Sequence, residues 1–135
     1  MDFADTLGIS GDGMRVEAAR LRIVAENLAN RDTTGQTPGS DPYRRKTITF
    51  KETLNRETGV VGVKVAKIGE DMSPFDKKYD PTSPVADKQG YVKIPNVHSV
   101  IEVMDTHEAQ HSFAANLNTF QVTRSMLVRT INIMQ

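Results

Sequence analysis

Helix-breaking residues in this chain are confined to its middle. All six prolines lie between Pro38 and Pro95, and the last glycine is Gly90. Proline lacks an amide hydrogen and clashes with the preceding helical turn, and an interior glycine costs about 1 kcal/mol relative to alanine. The tail beyond Pro95 contains no breaker, and the head up to Arg31 has no proline. Both ends are therefore free to form long helices around a centre that is not.

The head carries Leu7, Met14, Leu21 and Leu28 every seven residues, with Ala18 and Ala25 four after the second and third. That spacing marks one helix face, and Arg15, Glu17, Arg22 and Glu26 fall off it. Gly8, Gly11 and Gly13 weaken the first turns, so the pattern predicts a secure helix over 14–30. Asn30 would cap it in the left-handed conformation that Asn tolerates. In the tail, Phe113, Leu117, Phe120, Leu127, Ile131 and Met134 step by fours and threes, with Arg124 in one core slot. Glu102, Asp105 and Glu108 come early and Arg124 and Arg129 late, a polarity that suits the helix dipole.

Between the helices, Tyr43–Phe50 alternates weakly and Val60–Ile68 is β-branched, with Val61, Val63 and Val65 on one face. Both read as strands. Tyr91–Ile94 reads as a short strand pairing back on Val60–Ile68, and the proline-bearing stretch Asp71–Asp87 as an irregular loop. The expected fold is α+β: long N- and C-terminal helices packing as a coiled coil, with a small β-rich, loop-rich insert. The expected divisions are a head (1–35), the insert (36–96) and a tail (97–135) that pairs with the head. The two apolar stripes, Leu7, Met14, Leu21 and Leu28 with Phe113, Leu117, Phe120, Leu127, Ile131 and Met134, form the candidate assembly interface.

Charge is balanced, 17 basic against 17 acidic residues, so no global field attracts nucleic acid or anionic lipid. With no cysteine there is neither a disulfide framework nor a thiol nucleophile. No stretch approaches the roughly 20 apolar residues of a membrane span, and the acidic start lacks the basic region and apolar run of a cleavable signal. His107-Glu108-Ala109-Gln110-His111 fits H-E-x-x-H, in which two histidines one turn apart share a zinc and the Glu acts as base. No His, Asp or Glu follows His111 to supply a third ligand, so the string reads as two exposed histidines on a polar face instead of a zinc-dependent hydrolase. Tyr43-Arg44-Arg45-Lys46 is a basic run that reads as a solvated or interface-facing strand.

Residues 25–35, Ala-Glu-Asn-Leu-Ala-Asn-Arg-Asp-Thr-Thr-Gly, resemble the N-L-A-N-x-x-T-x-G signature of bacterial flagellar rod and hook proteins, matched by Asn27, Leu28, Ala29, Asn30, Thr33 and Gly35. Residues 37–46, 79–81, 90–97 and 114–117 are similar, in order, to the proximal-rod branch of that family. The resemblance implies a structural subunit of the basal-body rod, without enzymatic activity or cofactor. Its terminal helices would form a coiled inner layer of the shaft that transmits torque across the periplasm, with the insert outside. It also implies partners, namely other rod proteins, copies of the chain itself and the flagellar type III export apparatus, and neither nucleic acid nor a small-molecule substrate. The chain would reach the periplasm without a cleavable signal peptide.

Overall fold

The computed structural model describes residues 2–134. Two helices, α1 (Phe3–Ala29) and α2 (Ser99–Ile133), enclose four strands in sequence: β1 (Lys46–Leu54), β2 (Val61–Glu70), β3 (Asp76–Tyr79) and β4 (Tyr91–Ile94). The strands pair as two separate two-stranded sheets, β1 with β2 and β3 with β4. Compact packing divides the chain into two units. One comprises Met1–Leu21, Ile48–Lys67 and Thr106–Gln135, and the other Arg22–Thr47 and Ile68–Asp105.

In the first unit, α1 begins at Phe3, eleven residues before the predicted secure helix. Asp2 is the cap: the Asp5 carboxylate accepts from its backbone N–H at 2.8 Å and the Asp2 carboxylate accepts from Phe3 N–H at 2.6 Å. This reciprocal satisfaction of free amides offsets the glycines that follow. Gly13 has its own reason to be glycine, because a Cβ there would stand 2.7 Å from the amide nitrogen of Asn116 on α2. One turn pair further on, Arg20 lies 3.7 Å from Glu108 and 5.0 Å above the Phe50 ring. Moving from Gly13 to Arg20 along α1 thus moves from Asn116 back to Glu108 along α2, so the two helices run antiparallel. Joined by six residues, β1 and β2 form a hairpin, closed by Asn55 and Val60 at 2.8 Å and turned by Gly59 at φ +69°, a left-handed conformation natural to glycine.

The inward line of α2 in this unit is Thr106, Ala109, Phe113, Asn116, Phe120, Thr123 and Leu127, buried or half-buried and spaced alternately by three and four. Phe113, Phe120 and Leu127 of the predicted stripe lie on it. Leu117, Ile131 and Met134 are exposed, at 38, 43 and 74%. On α1 the heptad residues Leu7, Met14, Leu21 and Leu28 are half-buried, and the buried positions are Ser10, Val16, Ile23, Val24 and Asn27. The seven-residue repeat thus runs beside the buried face instead of along its centre.

The second unit holds the end of α1, the loop after it and the start of α2, again antiparallel: Asn27 meets Glu102, and Arg31 meets Ser99 four residues later. Asn30 ends α1 differently from the expectation. Among the described residues, none other than glycine has positive φ. Instead, the Asn30 side-chain amide donates to the Glu26 carbonyl at 2.9 Å, the same oxygen that accepts from the Asn30 backbone N–H at 3.1 Å, so the residue closes the last turn twice over. The predicted pairing of Tyr91–Ile94 with Val60–Ile68 is corrected. Here β4 pairs antiparallel with β3, Asp76 opposite Ile94 and Tyr79 opposite Tyr91, inside the stretch expected to be irregular. The facing tyrosine rings pack edge to face at 5.3 Å, and Gly90 turns into β4 at φ +83°. Strand β3 is Asp-Lys-Lys-Tyr, exposed throughout, so it shows no apolar alternation.

The α1 glycines give a direct test of this packing. A Cβ at Gly8 or Gly11 meets nothing within 4 Å, whereas at Gly13 it meets Asn116. Gly8→Ala and Gly11→Ala should each raise unfolding free energy by about 0.5–1 kcal/mol. Gly13→Ala should gain less or destabilise, and Asn116→Ala should restore the gain. Equal stabilisation at all three positions in denaturant melts would show that α2 does not pack there.

Candidate functional site

Asn27, the first residue of the N-L-A-N signature, is 1% exposed and lies at the centre of a buried polar hub. Its amide nitrogen donates to the Lys46 carbonyl at 2.9 Å and to Glu102 Oε2 at 3.1 Å. Its oxygen accepts from the Tyr43 hydroxyl at 2.9 Å and the Lys46 backbone N–H at 2.8 Å. Two donors and two acceptor sites are the full capacity of a carboxamide. No other side chain of this size supplies both, so this position requires Asn.

Glu102 is 0% exposed. A buried carboxylate must be compensated, and Arg45 does this from the other side, its Nε donating to Oε1 at 2.5 Å. The same guanidinium reaches Asp105 at 3.2 Å. Arg45 is held by its backbone: its N–H donates to Asn96 Oδ1 at 2.8 Å, and its carbonyl accepts from Asp71 N–H at 2.8 Å. Asn96 is itself buried and donates to the Asp71 carbonyl and to Ser73 Oγ, both at 2.9 Å. Alongside, Arg44 lies 4.2 Å over the Phe75 ring, and the Lys46 ammonium pairs with Glu26. The run Tyr43–Lys46, expected to be a solvated or interface-facing strand, is thus the connector between the end of α1, the start of α2 and the loop at 71–73. Burial pushes the Tyr43 hydroxyl up to about 12, with Glu26, Glu102 and Glu70 adding to the shift. Hydrogen bonds from Ser73, backbone first, hold the Asp71 carboxyl below the usual range.

The other motif residues shape the loop that delivers Tyr43. Thr33 donates its backbone N–H to the Asn30 carbonyl at 3.0 Å, and the Thr33 carbonyl accepts from Tyr43 N–H at 3.0 Å. Gly35 is forced by space, since a Cβ there would lie 2.1 Å from Ser40 Oγ and 2.8 Å from the Ser40 carbonyl oxygen. Sequence patterning placed Glu102 with the dipole-facing acids, took Arg45 only as part of a basic run and gave Asn96 no role of its own. Their signal was a charge within the apolar run Val100-Ile101-Glu102-Val103-Met104 and an unpaired asparagine after Pro95.

His107 and His111 are exposed. Glu108 is close to Arg20, which also lies 3.6 Å from Glu17, and burial raises the Glu17 carboxyl above its usual range despite that cation. Among the described residues no three His, Asp or Glu side chains converge as a metal site would need.

Two outcomes test the hub. Asn27→Asp keeps the shape but removes the donor to Glu102 and sets a second carboxylate against it. The folded chain should lose about 3 kcal/mol or more at neutral pH. Because the pKa of this new acid is raised in the folded state, part of that loss should return as pH falls. A loss under 1 kcal/mol in denaturant melts would refute the arrangement. For Tyr43 the folded pKa lies above the unfolded value near 10. The stabilisation is therefore complete below pH 10 and declines as pH rises from about 10 to 12. Tyr43→Phe should abolish the decline in this window.

Comparison with known proteins places this architecture. Residues 88–133 match the family described as the C-terminal region of flagellar basal body rod FlgEFG proteins. The flagellar basal-body rod protein FlgC of Agrobacterium fabrum is 49% identical over 127 residues, 94% of this chain and 91% of that protein. FlgC of Salmonella typhimurium is 36% identical over 136 residues, covering both chains in full. FlgC of Bacillus subtilis is 36% identical over 143 residues, 95% of each. With identity of this order running the length of the sequence, the chain belongs to the FlgC family of flagellar basal-body rod proteins.

Proposed function

We propose that this protein is a structural subunit of the bacterial flagellar basal-body rod, in its proximal part, and that copies of it and of other rod proteins cover the apolar surface that α2 leaves open. The observation that carries this reading is the composition of that surface. Val100, Ile101, Val103 and Met104 are 44–73% exposed at the start of α2, and Val122, Met126 and Val128 are 49–53% exposed toward its end. Meanwhile the same helix buries Glu102 and Thr123. Scattered surface apolar residues need no explanation, but apolar side chains recurring along one helix mark an interaction face. Seven-residue spacing on both helices supports their packing as a coiled layer in the assembly, with the head (1–35) and tail (97–135) inside and the insert (36–96) outside. In this reading the subunit passes through the flagellar export apparatus without a cleavable signal and works in the periplasm as part of a torque-transmitting shaft. Rigidity of the kind the hub provides, and not bond chemistry, is what that role requires.

Surface and interface are separable by mutation. Leu117→Asp and Val122→Asp change exposed positions, so unfolding free energy should stay within about 0.5 kcal/mol of the parent. A buried unpaired carboxylate in an assembled rod costs several kcal/mol, so cells carrying either variant should make the protein yet fail to swim or yield basal bodies. Normal swimming in both would remove this face from the interface. His107→Ala and His111→Ala should leave motility unchanged, and stoichiometric zinc in the purified chain would contradict that.

A further inference from the structure

We propose that the open groove between the first turns of α1 and the tip of the β1–β2 hairpin seats the last turns of α2 from a second copy of this chain. The proposal rests on the rod-subunit reading and specifies which two surfaces meet. The groove encloses about 440 Å³ and is lined by Ala4, Asp5, Gly8, Ile9 and Asp12 of α1, with Val60 at the hairpin end. Gly8 keeps its floor open, nothing lying within 4 Å of its Cβ position.

The complementary surface is at the end of α2. Since Gly13 lies beside Asn116 and the helices are antiparallel, Phe3 falls opposite about residue 126. Helix α2 continues to Ile133, about 10 Å further at 1.5 Å per residue. Its inward line runs on there through Ile131 and Met134, and with Ile133 at 85% these side chains are open to solvent. What covers the earlier part of that line is an α1 helix. The continuation suits another α1, and a second copy offers one, because α2 is helical to Ile133 and its end does not turn back into its own groove.

Charge points to the same pairing. After Glu108 the only charged residues are Arg124 and Arg129, whereas the first turns of α1 carry Asp2, Asp5 and Asp12. The carbonyl end of one helix also meets the amide end of another, so the helix dipoles attract. Two different surfaces meeting in this way leave the groove of one copy and the α2 end of the other still free, and such a contact propagates into a ring or a filament.

The chain has no cysteine, so disulfide trapping has no background. Full-length Gly8→Cys/Ile133→Cys expressed in place of the parent chain should give, on oxidation of purified basal bodies, a ladder of multimers with peptides linked between positions 8 and 133. Equimolar purified Gly8→Cys and Ile133→Cys chains should give the same linkage in solution, which covers the case of a double variant that fails to incorporate. Arg129→Glu should lower the yield at least tenfold, and Asp5→Arg on the groove-bearing chain should restore it. Linkage only between like positions, no linkage above single-variant controls, or insensitivity to the charge exchange overturns the proposal. The double variant recovered in basal bodies without the 8–133 linkage rejects the groove while the rod reading stands, and absence of the parent chain from basal bodies rejects the rod reading itself.

Discussion

A carboxylate without water fixes the second unit. Glu102 is 0% exposed, and an uncompensated charge in such a place costs several kcal/mol. Two groups compensate it from opposite sides, Asn27 from α1 and Arg45 from the segment just before β1. Each of those is held in turn, Asn27 by Tyr43 and Lys46 and Arg45 by Asn96. Removing one member leaves a buried donor or acceptor behind, so the penalty exceeds the net worth of any single hydrogen bond. An apolar seam tolerates sliding by a residue at modest cost. This hub does not, because a slip of α2 by one position carries the carboxylate away from both partners.

The sequence made some elements legible and hid others for identifiable reasons. Breaker placement and the 3.6-residue pattern revealed both helices, and the β-branched run Val61–Val65 revealed β2. The start of α1 was read too late because three glycines outweighed the Asp2–Asp5 cap, a signal two residues wide. Strand β3 was invisible, since Asp-Lys-Lys-Tyr is exposed on both faces and carries no period of two. Without it, β4 had no partner in view except the wrong one. The signature residues were recognised as a pattern, but their roles required coordinates. Asn27 binds groups 16, 19 and 75 residues away, and Gly35 is set by a contact with Ser40 that no periodicity encodes.

The apolar stripes show how far pattern goes. Phe113, Phe120 and Leu127 do lie on the covered side of α2, but Asn116 and Thr123 share that line. Their small polar side chains sit where a coiled-coil template expects aliphatic ones, and Asn116 is there because Gly13 leaves it room. On the other side, Val100, Val103 and Met104 surround Glu102 in sequence yet are left in solvent. Hydropathy alone would have turned that segment the other way.

This inversion links the hub to the exposed apolar residues at the start of α2. At about 100° per residue, Val100 and Met104, two residues to either side, both stand nearly opposite Glu102 on α2. Burying Glu102 therefore turns Val100 and Met104 outward together. If the carboxylate were not captured by Asn27 and Arg45, the lower-energy orientation would hide the valines and methionine and leave the acid in water. The hub thus does more than join the two helices. By making the inward rotation of one charged residue favourable, it fixes the angle at which the start of α2 presents its apolar residues. A subunit that must meet its neighbours at a constant angle gains more from such a contact than from a larger apolar core of its own.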